Sequence, residues 1–296
     1  MILWLEEIII CVNFMTEKKA TLYFLFATFL WGMTFVFIKK ALMSVNPYTF
    51  IFDRFLLGAV FLTLINPVAL KKINRILLKN AFILSLLLFG CVLFQTIGLQ
   101  YVDASIASFI TGTAVVYVIL LIALTTKTWP TGRNVVAVIL AMTGLGFVTL
   151  HHSANASIPT DEYGWIILCS ICFGFYIFIA KKITQQSPIM PLMILQFFMI
   201  SAFALVFVLL HHDNLYTPTS FNAVTSILYC GIFASGLAFT LQLNSQKVLS
   251  PQKISVLFAM EPIFATFAAV IMLHEQLTHL FFVGSGLILC AIVMIQ

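Results

Sequence analysis

The chain has 296 residues, of which 62% are hydrophobic and only 8% are charged, and its formal net charge is +5. Because soluble domains average about 45–50% apolar and about 25% charged residues, this composition excludes an ordinary soluble protein. The basic residues are dispersed along the chain, whereas a nucleic-acid-binding surface needs them clustered on one face. The sequence therefore predicts that the protein's surroundings are the lipid bilayer and that it binds no nucleic acid.

Ten apolar segments occupy nearly the whole chain. They run over residues 21–38, 48–66, 80–100, 104–125, 134–151, 163–180, 190–210, 222–246, 252–273 and 278–296. Each approaches the roughly 20 residues that a helix needs to cross the hydrocarbon core of a membrane. We therefore predict an all-α integral membrane protein of ten transmembrane helices, without a separate soluble domain.

The Lys and Arg residues fall mostly in alternate loops between these segments. Twelve of the fifteen lie on the side of the N-terminus: Lys18, Lys19, Lys71, Lys72, Arg75, Lys79, Lys127, Arg133, Lys181, Lys182, Lys247 and Lys253. Only Lys39 and Lys40 lie on the other side, and Arg54 lies within the second segment. Because cytoplasmic loops carry an excess of Lys and Arg, we predict an inner (plasma) membrane protein with both termini in the cytoplasm.

The first residues differ from a signal peptide. Residues 1–14 are apolar but carry Glu6 and Glu7 and no early base, whereas a signal peptide has a basic start. Met15 is followed by a short charged lead and then by the first span, so we predict that Met15 is the native start. The alternative is a short interfacial helix. Residues 1–19 are assigned as a lead that precedes the first span.

The two halves of the chain resemble each other. The matching positions are Trp31-Gly32 with Phe173-Gly174, Lys39-Lys40 with Lys181-Lys182, Asn46-Pro47 with Ser187-Pro188, Gln100 with Gln246, and 135–140 with 283–288. Asn46 and Ser187 are both predicted to cap the helix that follows. We predict a first five-helix repeat over 20–151, a linker over 152–160 and a second repeat over 161–296. Since five is odd, the second repeat is inverted in the membrane, which is typical of secondary transporters.

Three ionisable residues lie inside the spans, where such groups are rare and usually functional. Glu261 lies near the middle of the ninth segment, before Pro262, and Asp53 and Arg54 are adjacent in the second. A carboxylate at the depth of Glu261 could bind a cationic group of a substrate or exchange a proton, and Arg54 could bind a carboxylate. The alternative is that Asp53 and Arg54 reach the outer interface, or that Arg54 pairs with Asp53 or Glu261.

Uncharged polar and aromatic side chains supply the rest of a predicted binding site. We expect hydrogen bonds from Gln95, Gln196, Gln242 and Thr111, and apolar walls from Trp31, Phe35, Tyr176 and Phe258. Polar groups in spans also hold helices together, and aromatic groups also pack or face lipid, so a structural role is the alternative. With Glu261 and Arg54, these ten residues are the candidate substrate-binding or coupling site.

The histidines and cysteines do not predict a metal site or a redox centre. All six histidines fall on the outer side, at His151, His152, His211, His212, His274 and His279. His274 and His279 are five residues apart, whereas the metalloprotease helix needs a spacing of four. Cys169 and Cys172 lie in a span, without the soluble fold of a redox Cys-x-x-Cys motif. We predict no metal, no cofactor and no enzyme activity; a metal-dependent membrane enzyme and a non-transporting scaffold or receptor are the alternatives.

Small residues recur at matching places in the fifth and tenth segments. They are Ala137 and Ala141 in one and Gly286 and Cys290 in the other. Pairs of small residues four apart let membrane helices approach closely. We therefore predict that helices five and ten pack against each other or form the contact of a homodimer.

Several of these stretches resemble one known family. Phe29-Leu30-Trp31-Gly32, Arg54-Phe55-Leu56-Leu57, residues 98–105, Phe109-Ile110-Thr111-Gly112, and Glu261-Pro262-Ile263-Phe264 followed by 274–278 are similar to motifs of the EamA family of the drug/metabolite transporter superfamily. A proline usual in the family's fourth helix has no counterpart at 114–117. The resemblance implies ten helices in inverted halves, a central cavity built by helices one to four and six to nine, and peripheral helices five and ten. It also implies transport of small solutes such as amino acids, drugs or nucleotide-like metabolites, by an exporter or exchanger. We expect alternating access without ATP, since the chain has no Walker loop.

Overall fold

The computed structural model describes residues 15–102, 104–127, 129–149, 162–211, 220–273 and 279–295. Within them, eight helical stretches are long and apolar enough to cross a membrane: Glu17–Leu42, Pro47–Ile65, Arg75–Gly98, Ile106–Thr126, Tyr163–Gln186, Ile189–Leu210, Phe221–Val248 and Pro251–Met272. Two shorter apolar helices, Gly132–Phe147 and Phe282–Ala291, correspond to the fifth and tenth predicted segments. The prediction of an all-α membrane fold is confirmed.

Thirteen α-helices are numbered in chain order within these residues. They are α1 Glu17–Leu42, α2 Pro47–Ile65, α3 Arg75–Gly98, α4 Ala104–Gly112, α5 Ala114–Thr126, α6 Gly132–Thr149, α7 Tyr163–Gln186, α8 Ile189–Leu210, α9 Phe221–Leu228, α10 Ala238–Val248, α11 Pro251–Phe258, α12 Glu261–Leu273 and α13 His279–Ile295. A 3-10 helix, Pro67–Lys72, follows α2, and a π-helical segment, Tyr229–Leu237, joins α9 to α10. Residues 1–14 and the whole 152–160 linker, with His151, His152, His212 and His274, lie outside the described residues.

The two predicted helix caps behave differently. The Asn46 side chain accepts a hydrogen bond from the Tyr48 amide at 2.9 Å, so it caps α2 as predicted. The prediction for Ser187 is wrong, because its hydroxyl accepts a hydrogen bond from Asn80 Nδ2 at 2.9 Å and α8 begins at Ile189 without a side-chain cap. In the second repeat, the serine joins α3 to the start of α8 instead of closing a helix end.

Two spans are broken at corresponding places in the two repeats. The fourth span breaks at Thr113, between α4 and α5, and the ninth breaks at Ala259 and Met260, between α11 and α12. Pro262 follows the second break, since a proline cannot continue the hydrogen bonding of a helix. The first break has no proline, and the Thr113 hydroxyl instead bonds to the Ile110 carbonyl at 2.6 Å and to Ser170 Oγ at 2.8 Å. Discontinuous spans are typical of transporter binding sites.

Packing between the helices follows an internal two-fold symmetry. Helix α7 packs against α3 and α5, and its counterpart α1 packs against α10 and α12, while α2 pairs with α8 and α6 pairs with α13. The repeat-related glycines Gly32 and Gly174 mark two close contacts at corresponding places. A Cβ at Gly32 would lie 2.6 Å from the Cβ of Phe264, and one at Gly174 would lie 2.8 Å from the Cβ of Tyr117. The first span thus approaches the ninth as the sixth approaches the fourth.

The contact between α6 and α13 is present, but its register on α13 differs from the prediction. Ala137 and Ala141 are fully buried, as a packing seam requires. Gly286 and Cys290 are exposed, and a Cβ at Gly286 would meet nothing within 4 Å. The close approach is made at Gly144, where a Cβ would lie 2.6 Å from the Gly284 carbonyl oxygen. Gly286 and Cys290 therefore do not form this seam, because α13 presents a different face to α6; the alternative, that helices five and ten form a homodimer contact, stays a prediction.

The two ends of the bundle are built differently. The basic end carries the start of α1 and the end of α7; there Lys181 Nζ donates to the carbonyls of Lys247 at 3.1 Å and Leu249 at 2.9 Å. Glu17 and Lys253 form an ion pair between the two repeats at the same end. The opposite end contains a pocket of about 420 Å³, lined by Val36, Lys39, Lys40, Leu42, Met43, Leu99, Gln100 and Ala104. All of these residues belong to the first repeat, whereas a smaller pocket of about 180 Å³ at the basic end is lined by residues of both repeats, such as Asn134 and Gln252.

Candidate functional site

A small cavity lies in the middle of the bundle. Its lining consists of Trp31, Thr34, Arg54, Cys91, Val92, Gln95, Thr111, Phe173, Phe239, Phe258 and Glu261. Its volume is about 30 Å³, which holds about one or two water molecules. Both repeats contribute, through α1 to α4 from the first and through α7, α10, α11 and α12 from the second. Two of the polar lining residues, Thr111 and Glu261, lie next to the helix breaks.

Six of the ten predicted site residues line this cavity. They are Trp31, Arg54, Gln95, Thr111, Phe258 and Glu261. The charged pair is nearly inaccessible, with both Arg54 and Glu261 3% exposed. Since hydrocarbon offers no water to solvate a charge, a buried arginine and carboxylate are expected to have partners.

Only part of the Arg54 guanidinium group is in contact with protein groups. Its Nε donates to Ser235 Oγ at 2.8 Å, and its guanidinium carbon lies 5.2 Å from the ring centre of Phe55. No carboxylate of the described residues lies within 4.0 Å of Arg54. The side chain therefore neither reaches the interface nor pairs with Asp53 or Glu261, and its terminal nitrogens are available to the cavity.

Glu261 begins α12 at the break in the ninth span. Its Oε2 is buried and has no hydrogen-bond partner among the residues that the structure describes. Asp53 lies next to Arg54 in the chain but does not line the cavity, and it is half-buried. The cavity thus contains one cation and one carboxylate that do not form an ion pair with each other.

Four aromatic rings form one wall of the cavity, and we call them the aromatic layer: Trp31, Phe173, Phe239 and Phe258. The ring centre of Trp31 lies 6.1 Å from that of Phe173, 4.8 Å from that of Phe239 and 5.9 Å from that of Phe258. Trp31 Nε1 donates to the Ala234 carbonyl at 2.8 Å, in the π-helical segment. This bond fixes the indole at the centre of the layer.

The other four predicted residues lie away from the cavity. Phe35, one helical turn beyond Trp31, is 1% exposed and belongs to an apolar cluster with Ile38, Phe50 and Ile166. The remaining three lie on the basic-end side of the aromatic layer: Tyr176, Gln196 and Gln242. Gln196 Nε2 bonds to the Tyr176 hydroxyl at 3.3 Å. The cavity and these three residues are separated by the aromatic rings.

The site predicted from the sequence also omitted several residues that line the cavity. Cys91 and Thr34 could have been found from helical spacing, because they lie four residues before Gln95 and three residues after Trp31. Phe239 and Val92 also lie three residues before Gln242 and Gln95, but an apolar residue in an apolar span looks the same whether it faces a cavity or a neighbour. Cys91 Sγ lies 3.6 Å from Cys169 Sγ, and both are free thiols.

The histidines that the structure describes do not approach the cavity. His211 directly follows α8 and stacks on Tyr48, with ring centres 4.8 Å apart, and His279 begins α13. Within the described ranges, no group of three or more His, Cys, Asp or Glu residues could hold a metal ion. The chemistry of the cavity therefore depends on Arg54, Glu261 and neutral polar groups.

These features define a multi-pass helical membrane protein built from two inverted repeats around a central polar cavity, the class that includes many secondary transporters. The chain belongs to the EamA-like transporter family, whose sequence profile matches residues 18–150 and again 162–296. The resemblance noted from the motifs is thereby confirmed, and the chain is a membrane transporter of this type.

Relatives and a solved structure agree with this assignment. An uncharacterized transporter of Archaeoglobus fulgidus is 29% identical over 271 residues, which cover 90% of this chain and 82% of that protein. The uncharacterized transporter YoaV of Bacillus subtilis is 25% identical, covering 93% and 96%, and the uncharacterized inner membrane transporter YicL of Salmonella typhimurium is 22% identical, covering 95% and 96%. A crystal structure with 15% identity superposes with a TM-score of 0.79 over 95% of this chain and 97% of its own, which shows a shared fold.

Proposed function

We propose that the protein is a secondary transporter of a small zwitterionic metabolite, such as an amino acid, and that it works by alternating access without ATP. The proposal depends on one observation: the buried Arg54 and Glu261 line the same cavity without forming an ion pair. We further propose an exporter or exchanger of the inner membrane with cytoplasmic termini, and not an enzyme. The twelve bases of the alternate loops support this orientation.

A zwitterion matches the charges of this cavity. The terminal nitrogens of Arg54 can bind a carboxylate through two parallel hydrogen bonds, and Glu261 can accept hydrogen bonds from an ammonium group. A solute with a single charge would leave either Arg54 or Glu261 uncompensated in a buried site, which is costly. The geometry therefore favours solutes that carry both charges over otherwise similar amines or acids.

The difference between the two ends supports alternating access. Polar contacts of Lys181, Glu17 and Lys253 connect the helices at the basic end, where a pocket has about 180 Å³, whereas a pocket at the opposite end has about 420 Å³. In a protein with inverted repeats, exchanging the two repeat conformations closes one end and opens the other. The cavity of about 30 Å³ must widen to admit an amino acid, so movement of the aromatic layer is part of the proposed cycle.

A thermal-shift comparison tests the substrate class. Purified protein is heated with L-amino acids, with the matching amines that lack the carboxylate, and with the matching acids that lack the amino group. A solute that binds only the folded state raises its melting temperature by mass action, so we expect a rise with at least one amino acid and a much smaller rise with its amine and acid. Equal rises with all three forms, or a rise only with a singly charged form, would contradict the proposal.

Transport itself distinguishes the alternatives. Counterflow of the stabilising amino acid in liposomes is expected for a transporter and not for a scaffold or receptor. The metal content of the purified protein tests the metal-dependent enzyme, and a stoichiometric metal would favour it.

A further inference from the structure

The neutral residues behind the aromatic layer occupy the symmetry-related positions of the cavity's polar wall. Arg54 lies seven residues after the start of α2 at Pro47, and Gln196 lies seven residues after the start of α8 at Ile189. Pairing Pro47 with Pro188 would place Leu195 opposite Arg54, but the Trp31–Phe173 spacing and the packing both pair Arg54 with Gln196. A Cβ at Gly231 would lie 3.0 Å from the Arg54 carbonyl oxygen, and the Ser85 hydroxyl donates to the Gln196 carbonyl at 3.2 Å. The two carbonyls thus meet neighbouring helices at matching places in the two repeats.

The same symmetry relates two further pairs of residues. Tyr176 follows Phe173 in α7 as Thr34 follows Trp31 in α1, and Gln242 corresponds to Thr96, next to Gln95 in α3. Thr34, Arg54 and Gln95 therefore lie on the opposite-end side of the aromatic layer, and we call Tyr176, Gln196 and Gln242, on the basic-end side, the neutral cluster. A two-fold repeat thus places one polar group of residues on each side of the rings.

The neutral cluster is buried with unused hydrogen-bonding capacity. Tyr176, Gln196 and Gln242 are all 0% exposed. Gln196 Oε1 and both amide atoms of Gln242 have no hydrogen-bond partner in the part of the chain that the structure describes. Burying such atoms without partners is destabilising, so a cluster of this kind is expected to meet a polar group in another conformation of the protein.

Contacts with the aromatic layer connect the cluster to the cavity. The Tyr176 ring is stacked on Phe173, with centres 6.0 Å apart, and lies 6.2 Å from Phe239. Gln242 follows Phe239 by three residues and projects from the same side of α10. Movement of Phe173 and Phe239 would therefore open the cavity directly onto Tyr176 and Gln242.

We propose that Tyr176, Gln196 and Gln242 form a second solute-binding subsite, which takes an uncharged group that both donates and accepts hydrogen bonds, best a primary amide. The subsite rests on the proposed function, because Arg54 and Glu261 hold the charged end of the same solute. The amide of Gln242 offers the N–H groups of Nε2 as donors and Oε1 as an acceptor, and Gln196 Oε1 offers a second acceptor. Neither glutamine carries a charge, so a charged solute tail would not be compensated there.

The test uses two zwitterions of similar length, L-glutamine and L-methionine, with thermal shift of the purified protein as the readout. Wild type is expected to bind L-glutamine about tenfold more tightly than L-methionine, since two hydrogen bonds of ordinary strength are involved. Gln242→Leu should lose this preference and keep the affinity for L-methionine. The control is Thr96→Val at the symmetry-related position, where the hydroxyl already donates to the Val92 carbonyl at 2.6 Å; it should keep the preference.

A second readout needs no solute. If the Gln242 amide has no partner in the conformation described here, Gln242→Leu removes two buried, unpaired polar atoms. The melting temperature should then rise by about 2–4 °C. A lower melting temperature would show that Gln242 holds helices together and would overturn the subsite. So would equal binding of the two amino acids by wild type, a result that leaves the proposed function intact. If neither these nor other zwitterions bind at all, the proposed function itself fails and the subsite fails with it.

Discussion

The close approach of α1 and α12 at Gly32 allows a quantitative test of the two-repeat packing. A Cβ at this position would lie 2.6 Å from Phe264 Cβ and 2.8 Å from the Ala265 backbone nitrogen. Carbon atoms pack best at about 3.5–4.0 Å, so Gly32→Ala must push the two helices apart by about 1 Å. Overpacking of this kind costs about 1–3 kcal/mol, which corresponds to a melting temperature lowered by about 2–10 °C.

The assay is thermal unfolding of the purified variant, followed by transport in liposomes. Transport should fall as well, because α12 carries Glu261 at its first turn. Gly174→Ala should behave similarly, since its Cβ would lie 2.8 Å from Tyr117 Cβ. The control is Gly286→Ala, where a Cβ meets nothing within 4 Å; alanine's better helix propensity should leave its stability equal or slightly higher. If Gly32→Ala were as stable and as active as Gly286→Ala, the argument for close helix contact would be refuted.

Three further predictions concern the cavity and its closure. Glu261→Gln should abolish pH-dependent transport while leaving the protein folded, because a glutamine cannot exchange a proton; pH-dependent uptake that persists unchanged would remove Glu261 from coupling. Trp31→Phe loses the 2.8 Å bond to the Ala234 carbonyl and should lower the free energy of unfolding by about 0.5–1.5 kcal/mol, because a buried hydrogen bond is removed; a denaturant titration measures this loss. Lys181→Met removes the bonds to Lys247 and Leu249, so exchange through liposomes should become faster if opening of the basic end limits the rate, and an unchanged rate would argue against that closure.

Local sequence patterns predicted the spans and the charged residues of the site. A span is a property of about 20 consecutive residues, so within the described residues eight of the ten apolar segments reappear as helical stretches long enough to cross a membrane, and the fifth and tenth as shorter apolar helices. Arg54 and Glu261 were predicted because a charge among apolar residues is rare for an energetic reason. The repeat of Trp31-Gly32 and Phe173-Gly174 was visible because both glycines serve the same close contact.

Tertiary arrangement decided what the sequence could not predict. Phe35, Gln196 and Gln242 had the right composition for a cavity, but the side of the aromatic layer on which a residue lies depends on how the helices are placed along one another. The predicted α13 face that meets α6 failed at Gly286 for a similar reason, since a rotation of the helix changes which small residues face α6. The break at Thr113 has no proline, so the chain gave no local signal for it.

The central claim is that Arg54 and Glu261 together hold a zwitterion during transport. Counterflow of a radiolabelled mixture of L-amino acids into liposomes tests it most directly, with wild type compared with Arg54→Gln and Glu261→Gln. Wild type is expected to accumulate label transiently, and each variant should lose this accumulation although it remains folded. Accumulation that is equal for the wild-type protein and both variants would contradict the claim. So would liposomes that contain the wild-type protein and accumulate no amino acid at all.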